Sequence, residues 1–245
     1  MLDSIEEFLL GSNIALFFIF GTIFICLFIN FFITLVIAHS MRHSNDWPGN
    51  SKTIKETISS NKTLRLCAVL GSGGHTTEMI SLVKQLNPNL FMPRQYIVAE
   101  TDSLSANKVV EMEKQFQPKV NHNSNSYEIT LIPRSRKVGQ SYLTSIFTTL
   151  WAIFISIKIV WQSKPDMVLC NGPGTCLPIC IIAYVLDLLR LRNTKIVFVE
   201  STCRVKTLSL TGKLLYHFRM ADVFLVQWPD LVEKYPRAEF IGIVN

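Results

Sequence analysis

The segment from Gly71 to His75, which reads GSGGH, has residue types and spacing that could do chemistry. It follows an apolar run and precedes an apolar-periodic one, which predicts a loop between a strand and a helix. Glycines let a backbone approach a ligand, and free N–H groups at a helix start favour an anion. The alternative is a tight structural turn. The predicted substrate-binding residues are Gly71, Ser72, Gly73, Gly74 and Thr76, with His75 as a hydrogen-bond donor or catalytic base.

This glycine loop is not a common nucleotide-binding motif. A dinucleotide fingerprint would need glycine where Thr76 stands, and a P-loop needs lysine followed by serine or threonine after its last glycine. The loop alone therefore does not identify a ligand.

A second glycine-rich loop, Asn171-Gly172-Pro173-Gly174-Thr175, also follows an apolar run and leads into a predicted helix. Two such loops at the same edge of a sheet would face one cleft. We predict that Asn171, Gly172 and Gly174 bind substrate.

A third loop carries three cations in four residues, in the order Arg134, Ser135, Arg136, Lys137. Arginine can bind a phosphate through two parallel hydrogen bonds, so Arg134 and Arg136 suit a diphosphate. A solvated loop and a contact with anionic lipid headgroups are the alternatives.

Short apolar runs alternate with helical patterns after residue 63. Near-continuous apolar strands separated by helices predict an α/β, Rossmann-like parallel sheet with helices on both faces. Ligands of such sheets bind at the carboxyl ends of the strands, where the three loops would lie. The predicted strands are 64–70, 95–100, 127–133, 166–171, 195–200 and 222–227, and the predicted helices are 75–86, 103–116, 141–162, 176–190 and 207–220.

The helix predicted over 141–162 is unusually apolar. Its small and hydroxyl-bearing side chains follow one face, large apolar side chains fill the rest, and Lys158 is its only charge. Trp151 and Trp161 suit the depth of a membrane interface. We predict that this helix lies partly in the cytosolic membrane interface. Burial between layers and a second membrane span are the alternatives.

Residues 13–38 contain no charged side chain and exceed the ~20 residues that span a bilayer. A signal peptide is a poor fit, because acidic residues precede this stretch and no small-residue cleavage site follows. All 24 lysine and arginine residues follow residue 41, which places the body on the cytosolic side. The predicted parts are a luminal tip (1–12), one transmembrane helix (13–38), a cytosolic linker (39–63) and the Rossmann-like domain (64–245).

The six cysteines are scattered and fit a reducing compartment. Cys176 and Cys180 are four residues apart on a predicted helix, but no second pair or nearby histidine completes a zinc set. We interpret them as packing residues.

Several motifs in a fixed order resemble one protein family. They are LGSGGHTTE, IPRSRKVGQSYL, KPDMVLCNGPGTCLP, KIVFVES and LTGKLLYHFRMADVFLVQWPDLVEKYP, and they cover about residues 64–245. With the preceding anchor, they resemble the membrane-anchoring subunit of the two-part UDP-N-acetylglucosamine (UDP-GlcNAc) transferase of dolichol-linked oligosaccharide synthesis. That subunit is similar to the N-terminal half of MurG-type glycosyltransferases, which have the GT-B fold.

The resemblance implies half of a split enzyme. In a GT-B enzyme, the N-terminal domain binds mainly the lipid acceptor and the C-terminal domain mainly the nucleotide-sugar donor. A soluble catalytic partner would supply the donor half, recruited to the cytosolic face of the endoplasmic reticulum through the C-terminal end, with Ile241, Ile243 and Val244 as contacts. Together they would transfer GlcNAc to GlcNAc-diphospho-dolichol.

The resemblance also bears on further partners and on bound groups. The transferase of the preceding or following pathway step is a candidate partner. No cofactor, metal or nucleic acid is expected.

The family's motifs imply roles for individual residues. His75 is the candidate base or acceptor-orienting group, Arg134 and Arg136 would neutralise the diphosphate, and Gly172 to Gly174 would pass close to the acceptor sugar. Glu200 stands where bacterial relatives carry an acidic residue, and is a second catalytic candidate. The bacterial His-Glu-Gln-Asn is Val199-Glu200-Ser201-Thr202 here, and capping the following loop is the alternative role.

Two other functional classes stay open. One is a purely structural tether whose partner performs all the chemistry. The other is a self-sufficient glycosyltransferase that acts on another polyprenyl lipid.

Overall fold

The computed structural model describes residues 2–42, 63–116, 126–136, 139–172 and 174–244, with side-chain surroundings from Phe17 onward, apart from Tyr142. Most of the predicted linker 39–63 therefore lies outside the described residues. The chain divides into two compact units, residues 1–51 and residues 52–245. Each unit is described by itself.

The first unit contains one continuous helix, α1 (Leu2–Arg42). Its segment Phe17–Arg42 is long and apolar enough to cross a bilayer. Its few polar side chains bond within the helix: Thr22 and Thr34 donate to the carbonyls of Phe18 and Asn30, at 3.0 and 2.8 Å. Such internal bonds suit a helix surrounded by lipid. The exposed apolar surface indicates membrane anchoring, and the helix begins well before residue 13.

The second unit is a parallel sheet with helices on both faces. Its strands are β1 (Leu64–Val69), β2 (Phe91–Ala99), β3 (Tyr127–Ile132), β4 (Met167–Asn171), β5 (Lys195–Val199), β6 (Val223–Val226) and β7 (Glu239–Phe240). Its helices are α2 (Gly74–Gln85), α3 (Ser103–Phe116), α4 (Tyr142–Ser163), α5 (Cys176–Leu188), α6 (Leu210–His217) and α7 (Pro229–Lys234). The strand order is β3-β2-β1-β4-β5-β6-β7, and every neighbouring pair is parallel. The predicted Rossmann-like sheet is confirmed.

Strand β2 begins at Phe91, four residues before the predicted start at 95. Pro93 lacks the N–H that hydrogen bonding in a β-sheet needs, which favours a strand that begins after it. The structure accommodates it through a register shift between Leu64 and Leu66 of the neighbouring β1. The two elements α7 and β7 were not predicted, because six and two residues are too short for a periodic pattern.

The two faces of the sheet pack against different helices. Alternate residues of β1, such as Leu66 and Ala68, join a buried cluster with Met79 of α2 and Val109 of α3. On the other face of the sheet, α5 is almost entirely buried and packs against α4. Cys176 and Cys180 are buried there, as expected of packing cysteines.

Helix α4 buries its small and polar side chains and exposes its large apolar ones, the opposite of an ordinary surface helix. Its small and hydroxyl-bearing residues face inward, and Ala152 and Ser156 have no exposed surface. Its largest apolar side chains point outward, with Leu143 77% and Phe154 63% exposed. Because an outward apolar stripe of this length is unfavourable in water, the helix surface is suited to lipid or to a protein partner.

The strand order reverses between β1 and β4, where successive connections leave in opposite directions. In open α/β sheets, this switch point opens a crevice at the carboxyl ends of the strands. The two glycine-rich loops follow β1 and β4, so the fold places both of them at this crevice.

Candidate functional site

A hydrogen-bonded polar cluster occupies the crevice. His75 Nδ1 lies 3.0 Å from Asn171 Oδ1, and Asn171 Nδ2 donates to Glu78 Oε2 at 2.7 Å. Glu78 Oε1 in turn accepts a hydrogen bond from Ser201 Oγ at 3.1 Å. We call His75, Glu78, Asn171 and Ser201 the switch-point cluster. It joins the loops after β1, β4 and β5 at one place.

The cluster defines which nitrogen of His75 carries a proton. Both carboxyl oxygens of Glu78 accept hydrogen bonds, and the Asn171 atom that faces Glu78 Oε2 is the amide nitrogen, which donates. The amide oxygen of Asn171 then faces His75 Nδ1, which must be the donor. In the neutral ring this leaves Nε2 unprotonated and able to take a proton from a hydroxyl group.

Gly172 is required for this contact on two grounds. Its φ of +63° is one that residues with a side chain rarely adopt. A Cβ at this position would also lie 3.0 Å from His75 Cε1 and 3.3 Å from its Nδ1.

We therefore expect Gly172→Ala to displace the imidazole and to destabilise the domain by about 1–3 kcal/mol. The measurement is the melting temperature of the purified chain. The matched control for stability is Gly174→Ala, since an added Cβ there meets nothing within 4 Å. Equal effects of the two substitutions would show that Gly172 does not position His75.

The first glycine loop presents backbone groups to solvent. Gly73, with φ +66°, is the N-cap of α2 and provides no side-chain cap, so the first N–H groups of the helix stay available. Ser72, Gly73 and Gly74 are exposed. Thr76 is buried instead. Its hydroxyl donates to the Gly71 carbonyl and lies 2.5 Å from Ser105 Oγ, so Thr76 braces the loop.

Glu200 is buried beneath the loop that follows β5. Its carboxylate accepts hydrogen bonds from the Ser201 and Ser209 N–H groups, at 3.0 and 2.8 Å, and from the Ser209 hydroxyl at 3.0 Å. Burial raises the pKa of Glu200, and these hydrogen bonds oppose the rise. Ser209 caps α6. The geometry favours the loop-capping role over direct catalysis.

Arg134 and Arg136 follow β3, at the same edge of the sheet but two strands from β1. At about 4.8 Å per strand, the end of β3 lies roughly 10 Å from the end of β1, and farther from β4 and β5, which carry Asn171 and Ser201. Arg136 donates twice to the Gln140 carbonyl, at 3.1 and 2.9 Å. Arg134 has a buried Nε without a hydrogen-bond partner among the described residues. Lys137 lies outside those residues.

The C-terminal segment runs beside β6. The Ile241 N–H donates to the Val226 carbonyl at 3.1 Å, and Ile241 and Ile243 are exposed. The Val244 N–H donates to Gln227 Oε1 at 2.7 Å, the same oxygen that accepts from Thr202 at 2.9 Å. The proposed partner contacts therefore connect, through Gln227, to the loop after β5.

The sequence did not single out Glu78 or Ser201. One signal for Glu78 was present, because it follows His75 by three residues on the same predicted helix and so shares its face. Ser201 gave no such signal. It lies near Glu78 only because β5 pairs with β4 in the folded sheet.

The sequence is similar to several known proteins. A family model described as "Oligosaccharide biosynthesis protein Alg14 like" matches residues 66–244. A protein named UDP-N-acetylglucosamine transferase subunit ALG14 from Mus musculus is 47% identical over 187 residues, covering 76% of this chain and 85% of the relative. The protein of the same name from Schizosaccharomyces pombe is 45% identical over 182 residues, covering 73% and 82%.

One solved structure, the crystal structure of Acinetobacter baumannii MurG, is 19% identical with a TM-score of 0.49, covering 68% of this chain and 42% of that one. The family match over most of the chain and the identities to the two relatives establish that the chain belongs to the Alg14-like family of oligosaccharide biosynthesis proteins.

Proposed function

We propose that this chain is the membrane-anchored, acceptor-binding subunit of a two-chain transferase that moves GlcNAc from UDP-GlcNAc to GlcNAc-diphospho-dolichol. The names of its relatives support a subunit role. The observation that carries the proposal is that the switch-point cluster lies at the open edge of one Rossmann-like lobe. No second lobe exists within the described residues. A donor held by another chain would close the crevice.

His75 performs the proton chemistry in this proposal. The acceptor hydroxyl attacks the anomeric carbon of the donor sugar, the bond to UDP breaks, and the hydroxyl proton passes to His75 Nε2. The N–H groups at the start of α2 bind the acceptor beside it. Holding both substrates in reacting geometry can contribute about 7–11 kcal/mol, so a site with few catalytic groups is sufficient.

The proposed location is the cytosolic face of the endoplasmic reticulum membrane. Helix α1 spans the bilayer with its N-terminus in the lumen, as the distribution of positive charge favours. The outward face of α4 lies in the interface, where Trp151 and Trp161, 57% and 47% exposed, match the headgroup depth. The acceptor lipid is confined to the same surface.

Removing residues 1–40 is expected to weaken but not abolish membrane association, because α4 still provides an apolar surface. The measurement is flotation of the truncated chain with phospholipid vesicles at physiological salt. Adding Leu143→Ser and Phe154→Ser should move it to the soluble fraction, since both side chains are exposed. A truncated chain that never floats would contradict the interfacial position of α4.

Replacing Ile241 and Ile243 with serine is expected to release the soluble partner while the chain stays in the membrane. Both side chains are exposed, and the neighbouring Val244 is connected through Gln227 to Thr202 in the loop after β5. The measurement is co-purification with a candidate partner, and the control is Leu210→Ser, another exposed apolar residue, 60% accessible on α6. Retention of the partner by the double variant would remove the C-terminal segment from the interface.

The function is tested by product analysis with the assembled pair. Radiolabelled UDP-GlcNAc is offered with GlcNAc-diphospho-phytanol, with the matching monophosphate, and with a diphosphate lipid that carries another sugar. The proposal expects label to enter only the first acceptor, as a disaccharide lipid. Equal transfer to the other lipids would exclude the proposed substrate.

A further inference from the structure

A second cleft lies at the same edge of the sheet, between the end of β3 and the first turns of α4. It has a volume of about 680 Å³, which is within the range of small-molecule sites. Its lining includes Pro133, Arg134, Phe147, Thr148 and Trp151. We call it the β3 cleft.

One side of the β3 cleft is cationic. Arg134 lines the cleft, and its buried Nε lacks a hydrogen-bond partner among the described residues. The hydroxyl of the adjacent Ser135, a residue that is 4% exposed and not part of the lining, also lacks a partner within the described part of the chain. Of these two residues only Arg134 reaches the cleft, where its guanidinium could bind phosphate oxygens.

The other side of the cleft is aromatic and continues the outward face of α4. Phe147 and Trp151 are one helical turn apart, and are 76% and 57% exposed. The walls are fixed to each other, since Thr148 and Thr149 both donate to the Ser135 carbonyl, at 2.6 and 3.2 Å. A hydrocarbon lying between the two rings would pass directly from the cleft to the surface that faces lipid.

We propose that the β3 cleft binds the diphosphate and the first isoprene units of a polyprenyl diphosphate, with Arg134 as the phosphate contact. The ligand class follows from an anion site joined to an apolar channel. Strands β3 and β1 are two strands apart in the sheet, about 10 Å, so a sugar attached to a diphosphate in the cleft could extend towards the loop that follows β1. In this respect the inference rests on the proposed function.

Two charged neighbours refine the assignment. Glu100 also lines the cleft, but it is exposed, so solvent and salt screen its repulsion of a phosphate. Arg136 already donates to the Gln140 carbonyl and supports the loop. Arg134 therefore carries the main effect, and a smaller effect is expected at Arg136.

The test uses the full chain in detergent with a photoreactive benzophenone analogue of farnesyl diphosphate, and locates the label by mass spectrometry. The proposal expects label in the peptides that contain Phe147 and Trp151, and competition by unlabelled farnesyl diphosphate. Farnesol and inorganic diphosphate should each compete at least about tenfold more weakly, because each lacks half of the ligand. Equal competition by dioleoyl phosphatidic acid would identify a general anionic-lipid site and overturn the isoprenoid assignment.

Two variant pairs locate the contacts. Arg134→Gln should weaken farnesyl diphosphate binding by about tenfold or more, whereas Arg219→Gln, beyond the far end of α6, should not. Phe147→Ser should weaken it, whereas Phe154→Ser, 63% exposed on the same outward face but outside the cleft lining, should not. Label elsewhere, or equal effects within either pair, would overturn the proposal.

Failure here is distinguishable from failure of the proposed function. If the assembled pair transfers GlcNAc normally, but the label lies outside the β3 cleft and the cleft variants bind farnesyl diphosphate normally, only this inference is wrong. If the cleft binds farnesyl diphosphate but no GlcNAc is transferred, only the proposed function is wrong.

Discussion

Replacing His75 with alanine is expected to lower kcat of the assembled transferase by about 10²–10⁴-fold, the usual loss when a general base is removed. The Michaelis constant for the donor should change little, because in the proposed complex UDP-GlcNAc is bound by the other chain. The reason is geometric: the Nδ1 proton is committed to Asn171, so Nε2 is the nitrogen that can accept the hydroxyl proton. The measurement is steady-state kinetics with the partner chain present.

Two comparisons make this result specific. His217→Ala changes an exposed histidine at the end of α6 and should leave activity unchanged. Glu78→Gln should cause a smaller loss than His75→Ala. A glutamine amide can donate as well as accept, so Asn171 is no longer forced to direct its amide oxygen at the imidazole, but the imidazole itself remains. A His75→Ala complex that assembles normally and keeps wild-type activity would favour the structural tether.

Replacing Glu113 with leucine is expected to destabilise the domain by about 3–5 kcal/mol, or roughly 10 °C in Tm. Arg94 and Glu113 form a two-bond ion pair at 2.7 and 2.8 Å, and both side chains are 1% exposed. Tyr96 also donates to Glu113; burial raises the pKa of this tyrosine, so it stays protonated. Removing the carboxylate leaves a buried guanidinium without its counter-charge. The measurement is thermal or denaturant unfolding.

The double variant Arg94→Met with Glu113→Leu should recover most of this loss, because no unpaired charge remains in the core. The matched control is Arg65→Met, which breaks the Arg65–Asp166 pair at 3.0 Å. Those side chains are 42% and 31% exposed, so the expected cost is at most about 1 kcal/mol. Similar losses for Glu113→Leu and Arg65→Met would contradict the role of the buried pair.

The sheet and its edge could be predicted from local patterns. The apolar runs that became β1, β4 and β5 are continuous, and the glycine loops after β1 and β4 follow them directly, so their position at one edge needed only the topology of a parallel sheet. The apolar length of α1 likewise follows from counting residues.

Contacts between distant segments could not be predicted in the same way. Glu78 joins Asn171 and Ser201 across 93 and 123 residues, and nothing local in the sequence relates those positions. The orientation of α4 was ambiguous because Lys158 is its only charge and does not mark a polar face. Packing against α5 shows that the small residues are inside. The hydrogen bond from the Ser209 N–H to Glu200 likewise depends on where β5 ends.

In the proposed complex, this chain supplies one wall of a sugar-transfer pocket and another chain supplies the opposite wall. The most direct measurement is transfer of GlcNAc to GlcNAc-diphospho-phytanol by this chain alone, by the soluble partner alone, by the mixture, and by the mixture with His75→Ala. The account predicts transfer only in the mixture that contains His75. Full activity of this chain without a partner, or of the partner without this chain, would contradict it.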